Sequence, residues 1–439
     1  MQILPKRGGV ARRTVSVLLL RVMGMAFGYL LSLLVARWYG AEVLGGYVLT
    51  VTIVSILSLF STLGLDKAVL RYVSESVEGH REHSAWTYYS AASLTALAIA
   101  LAIALVTFSL REFLAVDVFE APGMVASIAI GAWVIVFMVG VLVNSEALRA
   151  GGYARLYAFL KSAEVSAAPL LFVAVFEFFS IGDAAMRPVN GYLCGAASIA
   201  LISLLLCHRK LPGTDRKWVW DARVVSAMIR FGFPVLISSS LAFIVQWVDT
   251  FMLGIMRTQA EVGIYNVSFK LAAAVTLSYL AVNVVITPSF ARPSVRDDAD
   301  ALRALARKGS VIGMAFAGPA ALVLLVFGEM LLGYFGQEFH VGYTSLVILT
   351  AAQVFVAYAG SVSALLNMTD HQRQLRNIML LAVVLKVVLN LVLIPYMGID
   401  GAAYSTAAAL VLWNLLAMLY IRKIFGFLPA YLPHWKVKR

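Results

Sequence analysis

The chain has 439 residues, 61% of them hydrophobic and only 13% charged, with 35 Lys and Arg against 23 Asp and Glu for a net charge of +12. Soluble domains carry about 25% charged residues; that shortfall and a mean hydropathy of +0.87 exclude a soluble globular fold. The two cysteines, Cys194 and Cys207, make no disulfide framework, and the six histidines are scattered without metal-ligand spacing, so neither a metal nor another cofactor is expected.

A helix needs about 20 apolar residues to cross a bilayer core of roughly 30 Å. Such runs fall at 15–36, 45–65, 84–110, 123–145, 156–179, 188–207, 232–256, 263–290, 309–332, 341–367, 375–396 and 401–421. The first follows Lys6, Arg7, Arg12 and Arg13, as a signal peptide would. It is too long for one and has no small-x-small cleavage site, so it reads as a retained helix. The expected architecture is an all-α integral membrane protein of about 12 transmembrane helices. Residues 1–210 form an N-terminal six-helix lobe, 211–230 a cytoplasmic linker, 231–421 a C-terminal six-helix lobe, and 422–439 a basic cytoplasmic tail.

Basic residues give the orientation. With the N-terminus inside, the inner segments hold 27 of the 35 Lys and Arg, and the outer loops hold Arg37, Arg111, Arg187 and Arg257. This positive-inside bias predicts both termini in the cytoplasm and a multi-pass protein of the cytoplasmic (inner) membrane. It also accounts for the net charge without nucleic acid, because anionic lipid attracts that face. The tail, with Phe427, Tyr431 and Trp435 among its basic residues, is expected along the inner interface.

An offset of 218 residues carries Gly45-Gly46-Tyr47 onto Gly263-Ile264-Tyr265. The same offset carries the loop holding Leu148 and Arg155 onto that holding Leu366 and Arg373, and Ile181 with its following turn onto Ile399. A common register near half the chain length indicates a duplicated six-helix unit. Because six is even, the copies share one orientation, as in transporters built from two pseudo-symmetric lobes.

Several segments resemble polysaccharide and oligosaccharide-lipid flippases. They are Asp249-Thr250-Phe251-Met252-Leu253-Gly254 with Glu261-Val262-Gly263-Ile264-Tyr265, and Arg37-Trp38-Tyr39-Gly40-Ala41-Glu42 with Gly45-Gly46-Tyr47. Leu63-Gly64-Leu65, Arg71-Tyr72-Val73, Phe231-Gly232-Phe233-Pro234 and Met397-Gly398-Ile399-Asp400-Gly401-Ala402-Ala403 extend the likeness along the chain. The resemblance is to the superfamily joining O-antigen-type flippases, the lipid II flippase and multidrug and toxin extruders. It implies alternating access by a two-lobed bundle, without enzymatic chemistry. The cargo would be a lipid-linked, polyprenyl-pyrophosphate-type oligosaccharide for surface polysaccharide. Membrane lipids and polysaccharide-assembly proteins are the expected partners. A cation-coupled multidrug exporter is the alternative within the superfamily.

Charged side chains inside the spans sharpen this. Each costs about 2.5–3.5 kcal/mol at mid-bilayer unless it faces a cavity, a partner or an interface. Arg21, Lys161, Lys270 and Lys386 are such cations; Asn266 is i−4 from Lys270, and Asn390 is i+4 from Lys386. Their 218-residue equivalents are Ser239, Met379, Thr52 and Ala168, so the scaffold repeats and its cations do not. Arg21, Lys270 and Lys386, with Asn266, Asn390 and Lys161, are therefore the candidate groups for an anionic head group. Lys161 and Glu164, three apart, have the spacing to neutralise each other. Asp249 and Glu164 are the candidate coupling-ion groups, for H+ or Na+; Glu146 and Glu177 sit near span ends and read as hydrated.

A membrane glycosyltransferase or polymerase is the rival from another class. Its carboxylates would have to come from Glu112, Asp117 and Glu120 in a short outer loop, which reads instead as hydrated. Asp297-Asp298-x-Asp300 has the look of a metal motif, but acids ahead of Ala301-Leu302-Arg303 suit a helix N-terminus. No nucleotide-binding phosphate loop is present.

Overall fold

The structure is a computed structural model, and it describes residues 7–212, 216–276, 286–287, 290 and 298–430. Among these there is no strand, and the chain forms two compact units, Met1–Ser240 and Leu241–Arg439.

The first unit opens with α1 (Arg7–Ser61), whose 55 residues exceed any single crossing. It bends at Gly40, where φ 84° and ψ 177° lie outside helical geometry. Only glycine adopts that backbone at little cost, so the expected polar break between spans 1 and 2 is a single-residue kink. Then come α2 (Leu65–Val77), α3 (Ala85–Ser109), α4 (Val125–Ala150), α5 (Ala154–Ser162), a π-helical turn Ala163–Ala167, α6 (Ala168–Phe178) and α7 (Arg187–Lys210). Five helical runs here are long and apolar enough to cross a membrane, the first broken at Gly40. Gly24 and Gly28 of α1 face Ser162 and Ser166, and a Cβ on Gly24 would come within 2.5 Å of Ser162 Cβ. That stripe is close helix packing of the small-xxx-small kind.

The expected linker packs on this unit. Trp86 Nε1 donates to the Lys217 carbonyl (2.9 Å), Ser90 Oγ to the Val219 carbonyl (3.1 Å) and Trp220 Nε1 to Thr95 Oγ1 (3.1 Å). The first half of α8 (Ala222–Met256) continues the contact. The Tyr72 hydroxyl donates to the Ala227 carbonyl at 3.2 Å, Arg71 lies over the Phe231 ring, and Gly64 and Gly232 touch backbone to backbone. The unit boundary thus falls inside α8, at Ser240.

The second unit continues α8 and adds α9 (Gln259–Ala273), α10 (Ala299–Gly333), α11 (Tyr343–Ala359), α12 (Val362–Met368) and α13 (Gln372–Phe425). Three of its described helices are long and apolar enough to cross a membrane, and Phe243–Met256 is a shorter apolar stretch. A capping box starts α9, with Thr258 and Glu261 satisfying each other's backbone N–H groups. Asp298 starts α10 by accepting from the Ala301 N–H at 2.9 Å, which is the helix-start reading of that acidic run. The α13 helix breaks at Gly398 (φ 55°, ψ −128°). Arg257 caps the carbonyls stranded before the break, donating to Ile394 (3.0 and 3.1 Å) and Pro395 (2.7 Å). The far part of expected span 263–290, with Ser239's side chain, Arg292, Arg296, Asp297, Tyr431 and Trp435, lies outside the described residues.

Two backbone features recur at the 218-residue offset. Gly152 (φ 88°) and Asp370 (φ 62°) are both left-handed and lie 218 residues apart. The same offset pairs the Gly40 break with Thr258, where α9 is capped.

Candidate functional site

The α8, α9 and α13 helices bring one buried polar cluster together in the second unit. Asp249, on α8, is 1% exposed. Its Oδ1 accepts from Asn390 Nδ2 at 2.8 Å. Its Oδ2 accepts from Lys386 Nζ (2.8 Å), Thr406 Oγ1 (2.5 Å) and the Tyr265 hydroxyl (3.0 Å). Lys386, also 1% exposed, donates in addition to the Val245 carbonyl at 2.5 Å. The i,i+4 spacing puts Lys386 and Asn390 on one face of α13. The Gly398 kink then returns the same chain so that Thr406 reaches the same carboxylate. Four donors reach this carboxylate, three on Oδ2 and one on Oδ1. Asn390 Oδ1, on a fully buried residue, has no hydrogen-bond partner.

The structure therefore gathers three of the sequence candidates, Asp249, Lys386 and Asn390. Lys386 faces a carboxylate and a carbonyl, and its charge is neutralised within the protein. Tyr265 and Thr406 complete the cluster without having been singled out. Both carried a signal: Tyr265 ends the Gly263-Ile264-Tyr265 motif, and Thr406 stands three residues after Ala403. On α9, Asn266 is buried and its Oδ1 has no partner, while Lys270, one turn on, is partly buried.

In the first unit, Glu164 sits in the π-helical turn, 1% exposed, and its Oε1 has no hydrogen-bond partner. The pairing with Lys161 suggested by their spacing does not form; Lys161 acts on Glu164 through space alone. The extra residue of a π-turn changes which side chains face each other, so α-helical i,i+3 spacing fails there. Glu164 is also within electrostatic reach of Tyr192, whose ring meets Tyr47 edge-on at 6.0 Å. Arg21 is exposed, one turn before the packed Gly24.

Two acids expected to be hydrated are held by cations. Glu146 is 1% exposed and binds Lys67 Nζ at 2.9 Å and Arg149 Nη1 at 3.3 Å. Lys67 also meets Asp66 at 3.0 Å. Burial lowers the Lys67 pKa, but Asp66 and Glu146 outweigh it and hold the ammonium well above its usual range. Glu177, partly exposed, binds Arg187 at 2.6 Å and the Tyr39 hydroxyl. Arg149 is one turn along the same helix and Arg187 ten residues on, but Lys67 comes from 79 residues away, which span-end position alone does not reveal.

Comparison with known proteins agrees with this architecture. The chain is 27% identical over 173 residues to the "Probable low-salt glycan biosynthesis flippase Agl15" of Haloferax volcanii, covering 39% of this chain and 37% of that protein's length. The fold matches "Lipid II flippase MurJ, inward closed conformation" with a TM-score of 0.77 at 13% identity, over 94% of this chain and 87% of that one. An inward-facing multidrug resistance MATE family transporter of the MOP superfamily matches with a TM-score of 0.75 at 13% identity, over 94% and 98%. At such identities these two likenesses speak for the fold. Residues 10–293 match the family model described as "Polysaccharide biosynthesis protein", and this multi-pass membrane chain belongs to that family.

Proposed function

We propose that the chain is a non-enzymatic transporter that flips a lipid-linked oligosaccharide, of the polyprenyl-pyrophosphate type, across the cytoplasmic membrane by alternating access, for surface polysaccharide assembly. The observation that carries this reading is the family match over residues 10–293. The name of the Haloferax relative and the lipid II flippase fold support it. Arg21, Lys161, Lys270 and Asn266 are the groups assigned to the anionic head group, because a dehydrated pyrophosphate needs positive charge and donors. Lys386 and Asn390 contribute only if their bonds to Asp249 open. Asp249 and Glu164 are the coupling groups, for Na+ or H+, and no other cofactor takes part. Membrane lipid and polysaccharide-assembly proteins complete the partners.

The test is glycan export by cells lacking their own flippase. The wild-type chain restores export, while Lys270→Ala and Arg21→Ala reduce it several-fold at equal membrane abundance. Restored drug tolerance without glycan export would overturn the reading in favour of a multidrug exporter.

A further inference from the structure

The Asp249 cluster has the composition of an alkali-cation site. A carboxylate, a backbone carbonyl, two hydroxyls and an amide oxygen are the hard oxygen ligands such ions take. Asp249 Oδ2 and the Val245 carbonyl both contact one cation, the Lys386 ammonium, at 2.8 and 2.5 Å. Thr406, Tyr265 and Asn390 surround the same carboxylate.

We propose that this site carries its own cation: the Lys386 ammonium occupies the place of a free monovalent metal ion, so the Asp249 site takes up no Na+ while Lys386 is present. Asp249 and Lys386 together are neutral, and a second cation would add a net positive charge to a site 1% exposed, against the desolvation cost of a buried ion. Three of the four donors on the carboxylate crowd Oδ2, the oxygen nearest the ammonium. Beside it, Asn390 Oδ1 is a buried acceptor with no hydrogen-bond partner. Truncating Lys386 reverses every term. It leaves a buried carboxylate uncompensated, frees the Val245 carbonyl and opens the volume of an ammonium and its stem.

The inference narrows the coupling proposed above from Asp249 and Glu164 to Glu164, and it rests on the reading of Asp249 as a cation-holding group. Its consequence is that a tethered charge cannot be exchanged with solvent. Coupling to an ion gradient then falls to another acid, of which Glu164 in the first unit is buried with a partnerless oxygen.

The experiment reads ion binding by the purified full chain, not export, so it stands or falls apart from the flippase assignment. Melting temperature in detergent is measured in NaCl and in N-methyl-D-glucamine chloride at equal ionic strength. The wild type is expected to melt at the same temperature in both. Lys386→Ala is expected to gain about 3 °C or more in Na+, and the gain should vanish in Lys386→Ala/Asp249→Asn. Lys386→Gln, which keeps most of the stem's packing, is the second variant and should show the same gain. A Na+-dependent rise in the wild type that Asp249→Asn abolishes would overturn the proposal. So would folded Lys386 variants that do not respond to Na+. The wild-type measurement itself needs no variant to fold; only the assignment of a rise to Asp249 does.

Discussion

At the residue scale, the Asp249–Lys386 pair takes two charges almost fully out of solvent. Each charge alone would be forbidding in a bilayer, and the pair persists because its geometry returns most of the desolvation cost. Breaking it from one side should be worse than removing it. Asp249→Asn or Lys386→Met alone is expected to destabilise by about 3–5 kcal/mol, because each leaves one buried charge uncompensated. The double variant Asp249→Asn/Lys386→Met should recover much of that loss. Thermal melts of the three purified variants measure the coupling; additive losses would mean that the pair does not hold together. The sequence indicated that these groups were special, since a charge inside a span demands an explanation. It did not say that Lys386 would be satisfied by Asp249, 137 residues away in the chain.

At the element scale, two glycines decide where helices turn and one backbone contact decides how α8 begins. Gly40 and Gly398 break the longest helices by leaving helical φ and ψ, at positions that merge or separate spans. Gly64 is left-handed (φ 77°) and lies directly against Gly232. A methyl group there meets backbone with nowhere to move and also strains φ, so Gly64→Ala should destabilise by about 2 kcal/mol or more. The check is the melting temperature of Gly64→Ala beside Gly79→Ala. Gly79 has a similar φ of 81° with open space around it, so it carries the backbone strain without the clash. Equal losses in the two would refute the packing argument. The short motifs Leu63-Gly64-Leu65 and Phe231-Gly232-Phe233-Pro234 were legible as family features, but nothing in one motif names the other as its partner.

At the scale of the whole molecule, the distribution of basic residues predicts which loops face the cytoplasm. In a background with Cys194 and Cys207 replaced by Ser, a cysteine at Asp117 should react with an impermeant maleimide in intact cells. One at Asp300 should react only after permeabilisation. The reverse pattern would overturn the orientation.

By itself the sequence determined the solvent, the all-helical class and the family, because each rests on composition or on short local motifs. Long apolar runs must become helices in lipid, whatever packs around them. Only the tertiary structure decided which buried charges neutralise one another. It paired Glu146 with Lys67 and Arg149, and Asp249 with Lys386, and it left Glu164 without a partner for one oxygen. Ion pairing inside a bundle depends on distances between helices far apart in the chain, and a local feature such as the π-turn at 163–167 can undo even a close spacing.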